Sequence, residues 1–563
     1  MDFSLKIAAF IVCLMLPARV LFAEVILHAF DWPYKEVTKR AAEIKNSGCT
    51  AVLVAPALKT IATTEWWGRY QPVDYRVLDN PLGNKTDFAE MVAALSPVKV
   101  YADVVFNQMS SDNQFSTTLD YPGTAVLADY QAQSAYYAVQ KLFGDLTTNL
   151  FSSADFRLPK RNIAANEYDS PYPAQHYWLS DLPDLGESTH TVQQQRSYLR
   201  ALLSLGIQGF RIDAAKHMTL TQIDSIFIPD ITNHCKVFGE IITGGGCGDP
   251  GYDSILQPFI ANTPFEAYDF PLLSTIHPKF TYGGDLTGLL DTGKCFSLPQ
   301  SRAVQFVVTH DIPNNGTTFI GSLFTDTTDE NLAQAFLLGQ GAGDYLLYCD
   351  FLLRTYTWGN SARWMNSFAK PVVQKEIAFN NACAGKAWYA VFQSPMCLVG
   401  GRGDKGIFCV NKSTQATTVT VPASKIKISL TNSPQEILGS KATISFANDS
   451  VKFVMPARSA GMWLDSAMTA VNNSKYACKK TPAFGAIVIR YNAHTGCLQI
   501  FQQSTHSNFS ISLNDPIGRC IFHANNISFD QGMATINVKA INQGIYFAVV
   551  KSPNSKSSLM FVK

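Results

Sequence analysis

The sequence predicts an α/β protein: a (β/α)8 TIM barrel with an inserted domain after strand 3, followed by an antiparallel β-sandwich domain and a second, small all-β domain. Three observations support this fold class. Eight short apolar runs alternate with helical patterns as far as residue 385, polar side chains stand where several of these runs end, and short alternating runs follow. An open, doubly wound sheet would alternate in the same way, but the polar strand ends favour a closed barrel.

The first 23 residues have the pattern of a secretory signal peptide. Lys6 precedes the apolar run IAAFIVCLML, and small residues follow as far as Ala23. A membrane-anchoring first helix is the alternative, but the run is short for a bilayer span, and no later segment supplies about 18 consecutive apolar residues. We therefore expect a secreted, extracellular protein with a cleaved signal peptide and no membrane association.

The chain has almost no net charge, with 45 Lys and Arg against 44 Asp and Glu. It has no basic runs, so nucleic acids and anionic membranes are unexpected partners, and we expect a monomer with a neutral partner. Of twelve cysteines, Cys13 leaves with the signal peptide, so at least one of the other eleven lacks a partner in the chain. Disulfide bonds are expected in a secreted protein, but the sequence does not determine their pairing.

The barrel is assigned to residues 24–107 and 189–385. Between the apolar runs, Tyr34–Asn46 and Thr86–Leu95 have the spacing of amphipathic helices, and Asp87 suits the first turn of the second helix. The strands are predicted at residues 25–30, 51–56, 100–106, 209–213, 237–240, 265–270, 304–310 and 344–348.

Three further regions complete the predicted organisation. Residues 108–188 are far longer than an ordinary βα loop and show no clear period, so we predict an inserted domain that is irregular with some β structure. Residues 386–466 contain alternating runs such as GIFCVNK and TTVTVPA, which predict an antiparallel β-sandwich. Residues 467–563 are predicted to form an accessory all-β domain.

Polar side chains at the predicted strand ends indicate a catalytic centre. In a closed barrel these positions converge on the carboxyl-terminal face, where such barrels carry their active sites. Each residue alone has a simpler interpretation, since a carboxylate can cap the next helix and Arg211 with Asp213 can form a structural ion pair. The strand-end residues are His28, Asp31, Asp103, Asn107, Arg211, Asp213, Glu240, His310 and Asp311.

The three carboxylates Asp213, Glu240 and Asp311 favour glycoside hydrolysis. They have no neighbouring cysteine or H-x-x-x-H pair, so a transition-metal site is not favoured. Carboxylates that flank one bond are what glycosidases use, one as a nucleophile and one as an acid that later becomes a base. Arg211, two residues before Asp213 on the same strand face, would keep that aspartate ionised.

Clustered aromatic residues in EWWGRYQPVDY, residues 65–75, suggest sugar binding. The faces of Trp66, Trp67 and Tyr70 could stack on the apolar faces of sugar rings. The alternative is that the tryptophans plug the rim of the barrel.

Short motifs in a fixed order resemble those of the α-amylase family of glycoside hydrolases, family 13. They are DVVFNQ (103–108), LPDL (182–185), GFRIDAAKH (209–217), GEI (239–241) and FVVTHD (306–311), with WWGRYQP (66–72) similar to the family's active-site aromatic segment. The resemblance covers residues 24 to 465, because VGGRGDKGIFCVNK and PARSAGMWLD are similar to the β-sandwich that follows the barrel in these enzymes.

The resemblance implies a secreted, retaining endo-hydrolase of α-1,4-glucans such as starch or glycogen. It implies that Asp213 is the nucleophile, Glu240 the general acid and base, and Asp311 the carboxylate that stabilises the transition state. It also implies a structural Ca²⁺ bound by Asn107, Asp184 and the carbonyl of His217; oxygen ligands suit that cation. The substrate-binding residues, with the aromatic cluster included, are Trp66, Trp67, Tyr70, Gln71, Gln108, Arg211, Lys216, His217 and His310.

Two departures from the family pattern change these expectations. Gln108 stands where the family usually has a substrate-binding histidine, and an amide can donate a hydrogen bond but cannot carry charge. Thr309 and Leu346 replace two of the three chloride ligands of animal-type enzymes, so chloride activation is not expected. The same triad would also serve a transglycosylase or a maltooligosaccharide hydrolase, and a catalytically weak glucan-binding protein is the alternative outside the enzyme class.

The last segment is the least determined part of the sequence. NFSISLNDPIGRCIF and INQGIYFAVVKSPNSKSSLMFVK weakly resemble the C-terminal sorting domains of some secreted bacterial proteins. A starch-binding module would have similar strands. We interpret the segment as an accessory module of unknown role.

Overall fold

The computed structural model describes residues 23–233, 235–291, 295–315, 320–356, 359–429, 434–447 and 449–465, together with seven strands between residues 488 and 562. The expected signal peptide lies outside the described residues except for Ala23. The chain divides into two compact units between Ala470 and Val471, and each is described by itself. Among the described helices, none is long and apolar enough to cross a membrane.

A closed barrel of eight parallel strands forms the centre of the first unit, as predicted. Each strand pairs with its neighbour along the chain, and the first closes on the last, with Val25 opposite Tyr345. Apolar side chains fill the strands, which are buried on both faces as parallel strands require. The strands are β1 (Val25–Phe30), β2 (Ala51–Val54), β3 (Lys99–Val105), β4 (Gly209–Asp213), β5 (Lys236–Gly239), β6 (Glu266–Tyr268), β7 (Ala303–Gln305) and β8 (Asp344–Asp350).

β7 is shorter than the predicted strand over residues 304–310. Its neighbour β6 is only three residues long, so it offers partners only for Ala303 and Val304. Residues 306–310 leave the ladder but stay buried, and they lead Thr309 and His310 toward the carboxyl-terminal face.

Helices surround the barrel. The predicted helix at 34–46 is two helices, divided at Arg40, whose guanidinium lies over the rings of Trp32 and Phe368. The predicted helix at 86–95 is confirmed, and the Asn84 side chain caps it by accepting from the Thr86 and Asp87 amides. The α-helices of this region are Tyr34–Lys39, Ala41–Ser47, Lys85–Leu95, Thr189–Ser204, Leu220–Ile226, Pro229–Thr232, Gln257–Asn262, Phe270–Phe280, Asp311–Asn314, Thr327–Gln340 and Pro371–Ala382.

The inserted segment after β3 is more helical than predicted. Its described β structure is limited to isolated bridges, such as Gln108 with Asp184 and Tyr121 with Phe151. Its helices are Asn113–Ser116, Gly123–Ala132, Ser134–Gln140 and Pro171–His176. They bury few residues each, such as Tyr130 and Tyr137. The prediction of an irregular segment with some β structure did not include these helices, because helices this short give no readable apolar period.

Two antiparallel sheets follow the barrel within the first unit, as predicted for a β-sandwich. One consists of Trp388–Gln393, Cys397–Arg402, Gly406–Asn411, Ser459–Leu464 and Gln435–Glu436, and the other of Thr417–Pro422, Ser450–Met455 and Thr443–Ala447. The first sheet packs on the barrel helix Thr327–Gln340. Gly339 permits this approach, since a Cβ there would lie 2.7 Å from the ring of Phe408.

The second unit consists of antiparallel strands in its described residues, as predicted for an all-β domain. One sheet contains Cys520–Asn525, Ser510–Asn514, Ile545–Ser552 and Ser555–Val562, and the other contains Val488–Asn492, Cys497–Phe501 and Met533–Asn537.

Among the described residues, a disulfide bond joins Cys247, after β5, to Cys295, before β7. This is a pairing that the sequence left open. The free cysteines among the described residues are Cys49, Cys235, Cys349, Cys383, Cys397, Cys409 and Cys520.

Candidate active site

The three carboxylates singled out in the sequence lie together at the carboxyl-terminal end of the barrel. Asp213 is the last residue of β4, Glu240 follows β5 directly, and Asp311 begins the short helix after β7. All three are buried. The carboxylates repel one another: burial raises the pKa of Asp311, and the nearby Glu240 and Asp213 raise it further. The parallel strands thus bring together residues that are about 100 positions apart in the chain.

Arg211 is the hub of this cluster. Its fully buried guanidinium donates from Nη1 to Asp103 Oδ2 at 2.5 Å and to Asp213 Oδ1 at 3.0 Å, and from Nη2 to Glu240. Asp103 on β3 lies opposite Arg211 in register. A planar, forked cation can hold several carboxylates in fixed directions, so one side chain orients groups from β3, β4 and β5.

Burial dominates the ionisation of the cluster. It raises the pKa of Asp213 to about 8 although Arg211 opposes the rise, and it raises the pKa of Asp103 to about 6. Arg211 was expected to keep Asp213 ionised; its charge does lower the pKa of Asp213, but burial raises that pKa by more. Arg211 lowers the pKa of Asp213, which it contacts, and that of Asp311, but the pKa of Asp311 still lies well above its ordinary value.

Aromatic rings close one side of the site. The rings of Tyr70 and His310 stack with centroids 5.3 Å apart, and Tyr70 donates its hydroxyl to Asp103 Oδ2 at 3.1 Å. His28 meets His310 edge-on at 5.3 Å. Burial lowers the pKa of both histidines, to about 3 for His28. Both imidazoles are therefore neutral at physiological pH and can only donate or accept hydrogen bonds.

The two tryptophans of the aromatic segment have different surroundings. Trp66 packs edge-on against His310, with ring centroids 5.6 Å apart, and against Phe30. Trp67 is 43% exposed. Arg69, which is buried, holds their loop by donating to the Thr63 carbonyl at 2.5 Å. Trp66 therefore plugs the rim, while Trp67 presents a free aromatic surface beside the site.

The two glutamines of the candidate substrate site contact different parts of the protein. Gln108 Nε2 lies 3.3 Å from the Tyr70 carbonyl and 3.5 Å from Asp213 Oδ2, and its buried Oε1 has no hydrogen-bond partner. Gln71 Oε1 accepts from the Ser110 hydroxyl at 3.0 Å and from the Ser111 amide at 3.1 Å. Gln108 thus contacts the carboxylate cluster, whereas the Gln71 oxygen holds the start of the inserted segment.

Lys216 and His217 connect the loop after β4 to the inserted segment. Lys216 Nζ donates to Asp169 Oδ1 and to the Ile242 carbonyl, both at 2.7 Å. His217 Nδ1 lies 2.8 Å from the Ala174 carbonyl, and burial lowers the pKa of His217 to about 4. Asp169 was missed in the sequence, since it lies outside every motif and its partner is 47 residues away.

A second missed group lies after β8. Arg354 donates from Nη2 to Asp31 at 2.6 Å and from Nε to Asp350 at 3.2 Å, and its guanidinium lies over the ring of Phe30. Asp31 was selected as a strand-end residue, but in the structure it holds this loop. No local pattern in the sequence identifies Arg354 as its partner.

The residues expected to hold Ca²⁺ lie where β3 meets the inserted segment. The Gln108–Asp184 bridge and the bond from the Leu185 amide to the Asn107 carbonyl bring Asn107 close to Asp184. Both polar atoms of the buried Asn107 side chain lack a partner, and burial raises the pKa of Asp184 although Arg157 Nε lies 3.0 Å from it. These oxygen donors fit a hard cation. Within the described residues, no group of three or more His, Cys, Asp or Glu could hold a metal ion.

Comparisons with known proteins show which families this chain resembles. A family model described as "Alpha amylase, catalytic domain" matches residues 34–235, and one described as "Secretion system C-terminal sorting domain" matches residues 481–563. An α-amylase of Aeromonas hydrophila is 39% identical over 79% of this chain and 96% of its own length. The sorting-domain match replaces our interpretation of the tail as a module of unknown role.

Solved structures share the fold. The α-amylase I of Eisenia fetida matches with a TM-score of 0.61 at 17% identity and covers 78% of this chain and 96% of its own. A cyclomaltodextrin glucanotransferase named CldA matches with a TM-score of 0.62 at 20% identity, over 79% of this chain and 99% of its own.

Proposed function

Because the chain belongs to the α-amylase family of glycoside hydrolases, we propose that it is a secreted α-amylase. In this proposal it hydrolyses internal α-1,4-glucosidic bonds of starch- or glycogen-type glucans and retains the anomeric configuration. The observation that carries the proposal is the buried Arg211 cluster, in which one guanidinium orients Asp213 and Glu240 beside Asp311. Family membership supports glycosidase chemistry, and this geometry supports the individual roles below.

In the proposed first step, Asp213 attacks the anomeric carbon while Glu240 protonates the glucosidic oxygen. The carbon–oxygen bond breaks, the leaving glucan carries the proton, and the donor sugar becomes bonded to Asp213. In the second step, Glu240 takes a proton from water as that water attacks the same carbon and releases Asp213. Two displacements return the original configuration. Glu240 begins the first step protonated and begins the second step as a carboxylate.

The surroundings of Asp213 and Asp311 support the protonation states that we propose for these two residues. Arg211 Nη1 lies 3.0 Å from Asp213, and this charge favours the ionised form that a nucleophile needs. Asp311 has a strongly raised pKa, so it enters the reaction with a proton that it can donate to a sugar hydroxyl. Positive charge develops at the anomeric carbon during the reaction, and the negative charge of the carboxylate cluster stabilises that transition state.

The proposed glucan site extends from these residues along the loops. Trp67 and Tyr70 offer ring faces, and neutral His310 and Gln108 offer hydrogen bonds to hydroxyls. Gln71, Lys216 and His217 complete the proposed glucan site, and protein partners hold their side chains in place.

A structural Ca²⁺ is part of the proposal. Asn107 and Asp184 would hold it with side-chain oxygens and His217 with its carbonyl. When bound, the cation would cross-link β3, the loop after β4 and the inserted segment. Chloride is not proposed, because Thr309 and Leu346 supply neither a cation nor an amide.

Secretion is supported by the C-terminal sorting-domain match. We propose that a signal peptidase removes residues 1–23 and that the mature chain consists of the barrel (24–107 and 189–385), the inserted domain (108–188), the β-sandwich (386–466) and the sorting segment (467–563).

The test is reducing-sugar release from soluble starch by the secreted protein. Asp213→Asn and Glu240→Gln should each lower kcat by at least about 10³-fold, as loss of a nucleophile or general acid does. Asp230→Asn is the matched control, because Asp230 is exposed and pairs with Arg200 on the surface. Unchanged activity in either active-site variant contradicts the proposal. In a second incubation, with a maltooligosaccharide of defined length as the substrate, products longer than that substrate would indicate a transglycosylase instead.

A further inference from the structure

A charged cluster lies at the amino-terminal end of the barrel, opposite the active site. Glu24 comes directly before β1 and Asp344 begins β8, and these are the two strands that close the barrel. The main-chain nitrogen of Glu24 donates to Asp344 Oδ1 at 2.7 Å, and the Tyr345 amide donates to the Glu24 carbonyl at 2.8 Å. The start of the described chain is thus bonded to the closing strand of the barrel.

The cluster holds more carboxylates than contacting cations. Glu24, Glu266 and Asp344 surround Lys236, whose Nζ lies 3.9 Å from Glu24, 2.7 Å from Glu266 and closest to Asp344. Lys99 pairs with Glu24, and the Tyr101 hydroxyl donates to Glu24 at 2.5 Å. Arg302 is near Glu266, but its hydrogen bonds go to the carbonyls of Ile260, Thr263 and Phe265. Three carboxylates therefore share two lysines.

Two further observations indicate that positive charge is lacking. Among the described residues, no lysine or main-chain amide donates to the buried Glu266 Oε2, and Glu266 lies close enough to Asp344 for the two carboxyl groups to share a proton. Burial, reinforced by the neighbouring carboxylates, raises the pKa of Glu266 to about 8 and also raises the pKa of Asp344. A cation placed beside Asp344 would relieve this repulsion.

We propose that removal of the signal peptide supplies that cation. A signal peptidase hydrolyses the amide between Ala23 and Glu24: water adds across the bond, the new carboxylate leaves with Ala23, and the new amino group stays on Glu24 and is protonated at neutral pH. The Glu24 nitrogen already lies 2.7 Å from Asp344 Oδ1. The amide hydrogen bond thereby becomes an ammonium–carboxylate ion pair that joins β1 to β8 at the seam of the barrel.

The change has one identifiable cost. The Ala23 carbonyl accepts from Asn380 Nδ2 at 3.1 Å, and this bond is lost with the leader. It is partly buried, so water can replace it, whereas the ion pair forms in a cluster that is otherwise short of positive charge. The inference rests on processing after Ala23, as proposed above, and is independent of the catalytic activity.

The first experiment measures the amino terminus of the secreted, full-length protein. Mass spectrometry should find Glu24 as its first residue. Acylation of the α-amino group at pH 8 should be about tenfold slower than in Asp344→Asn, because the ion pair protects the amine and raises its pKa. A different first residue, or equal acylation rates in the two proteins, overturns the proposal.

The second experiment leaves every side chain of the cluster intact. A secreted variant in which one alanine precedes Glu24 after processing restores the amide at this position and moves the charge away. Its half-life of thermal inactivation should be shortened about three- to tenfold, and the extension should have little further effect in Asp344→Asn. The ion pair is refuted if the alanine extension alone leaves the half-life unchanged. It is also refuted if the extension shortens the half-life of Asp344→Asn as much as that of the wild type. Starch hydrolysis is not the readout, so failure here leaves the proposed function standing.

Discussion

At the residue scale, Arg211 determines how four acidic groups share one site. Its guanidinium contacts Asp103, Asp213 and Glu240 but not Asp311. Asp213 gains a counter-charge at 3.0 Å, whereas burial and then Glu240 raise the pKa of Asp311 and Arg211, which does not contact it, opposes this rise only in part. This asymmetry separates a nucleophile that must be ionised from a group that is most useful when protonated.

We expect Asp311→Asn to lose activity while it stabilises the fold. The folded-state pKa of Asp311 lies well above its unfolded value, so between the two values the unfolded chain has released the proton and the folded chain has not. Stability therefore falls as pH rises through this window, and an amide, which does not titrate, avoids that loss. The variant should lower kcat by about 10²–10³-fold and raise the thermal midpoint, more at pH 8 than at pH 5.

Thermal scans of the wild type, Asp311→Asn and the surface control Asp230→Asn check this. A midpoint for Asp311→Asn that is lower than that of the wild type at pH 8, or a difference that does not change with pH, would show that Asp311 is not held protonated by its surroundings.

At the scale of elements, the loop after β4 joins the barrel to the inserted segment. The Lys216–Asp169 ion pair spans them at 2.7 Å, and Asp169 is about half exposed. The carbonyl of Ile242 holds Lys216 from the barrel side. Because Lys216 is a candidate glucan contact, the inserted segment should influence binding more than chemistry.

Asp169→Asn should therefore raise KM for starch about two- to fivefold and leave kcat within about twofold, since a partly exposed ion pair contributes little and Lys216 keeps one anchor. Asp181→Asn is the control, because Asp181 is an exposed carboxylate of the same segment that pairs with Lys160. Steady-state kinetics on soluble starch decide the matter: a fall in kcat at constant KM, or an equal effect of Asp181→Asn, contradicts this role.

The junction of β3 with the inserted segment should depend on Ca²⁺. A strong chelator should lower the thermal midpoint by about 3–6 °C, because a ligand bound only by the folded state stabilises it. Asn107→Ala should lose most of this response, whereas Asn162→Ala, a change at an exposed asparagine of the inserted segment, should keep it. A midpoint that is indifferent to the chelator in the wild type argues against the site.

The barrel and its strand-end residues were predictable because local sequence determines them. Apolar runs such as VILHAF and GFRID specify buried parallel strands, and the residues that end them converge in any closed barrel. Features that depend on distant partners were not predictable. The Asp169–Lys216 pair, the Asp31–Arg354 pair and the Cys247–Cys295 bond leave no local pattern, and the pKa of Asp213 depends on groups from three strands.

At the scale of the whole molecule, the catalytic unit and the sorting segment are separate compact units. The barrel shares its core with the β-sandwich, through Phe336 and Phe408 among others, so these two are expected to unfold together. Lys412 of the sandwich strengthens this contact by donating to the carbonyls of Lys279, Thr281 and Gly284. Activity should therefore reside in the first unit alone.

Deletion of residues 471–563 should leave kcat/KM for starch within about twofold in the purified protein. In a bacterium that carries the matching secretion system, the same deletion should prevent release of the enzyme, and Asp213→Asn, an inactive but complete chain, should be released normally. Loss of activity in the purified, truncated protein would show that the tail belongs to the catalytic unit.

The most direct test of the central claim is to trap the covalent intermediate. Glu240→Gln is incubated with a fluorinated glucosyl fluoride, whose leaving group needs no acid and whose ring fluorine slows the second step, and the peptides are analysed by mass spectrometry. The account predicts one glucosyl adduct, on Asp213, and none in the variant that also carries Asp213→Asn. An adduct on any other residue, or hydrolysis of the donor that survives the loss of Asp213, would contradict it.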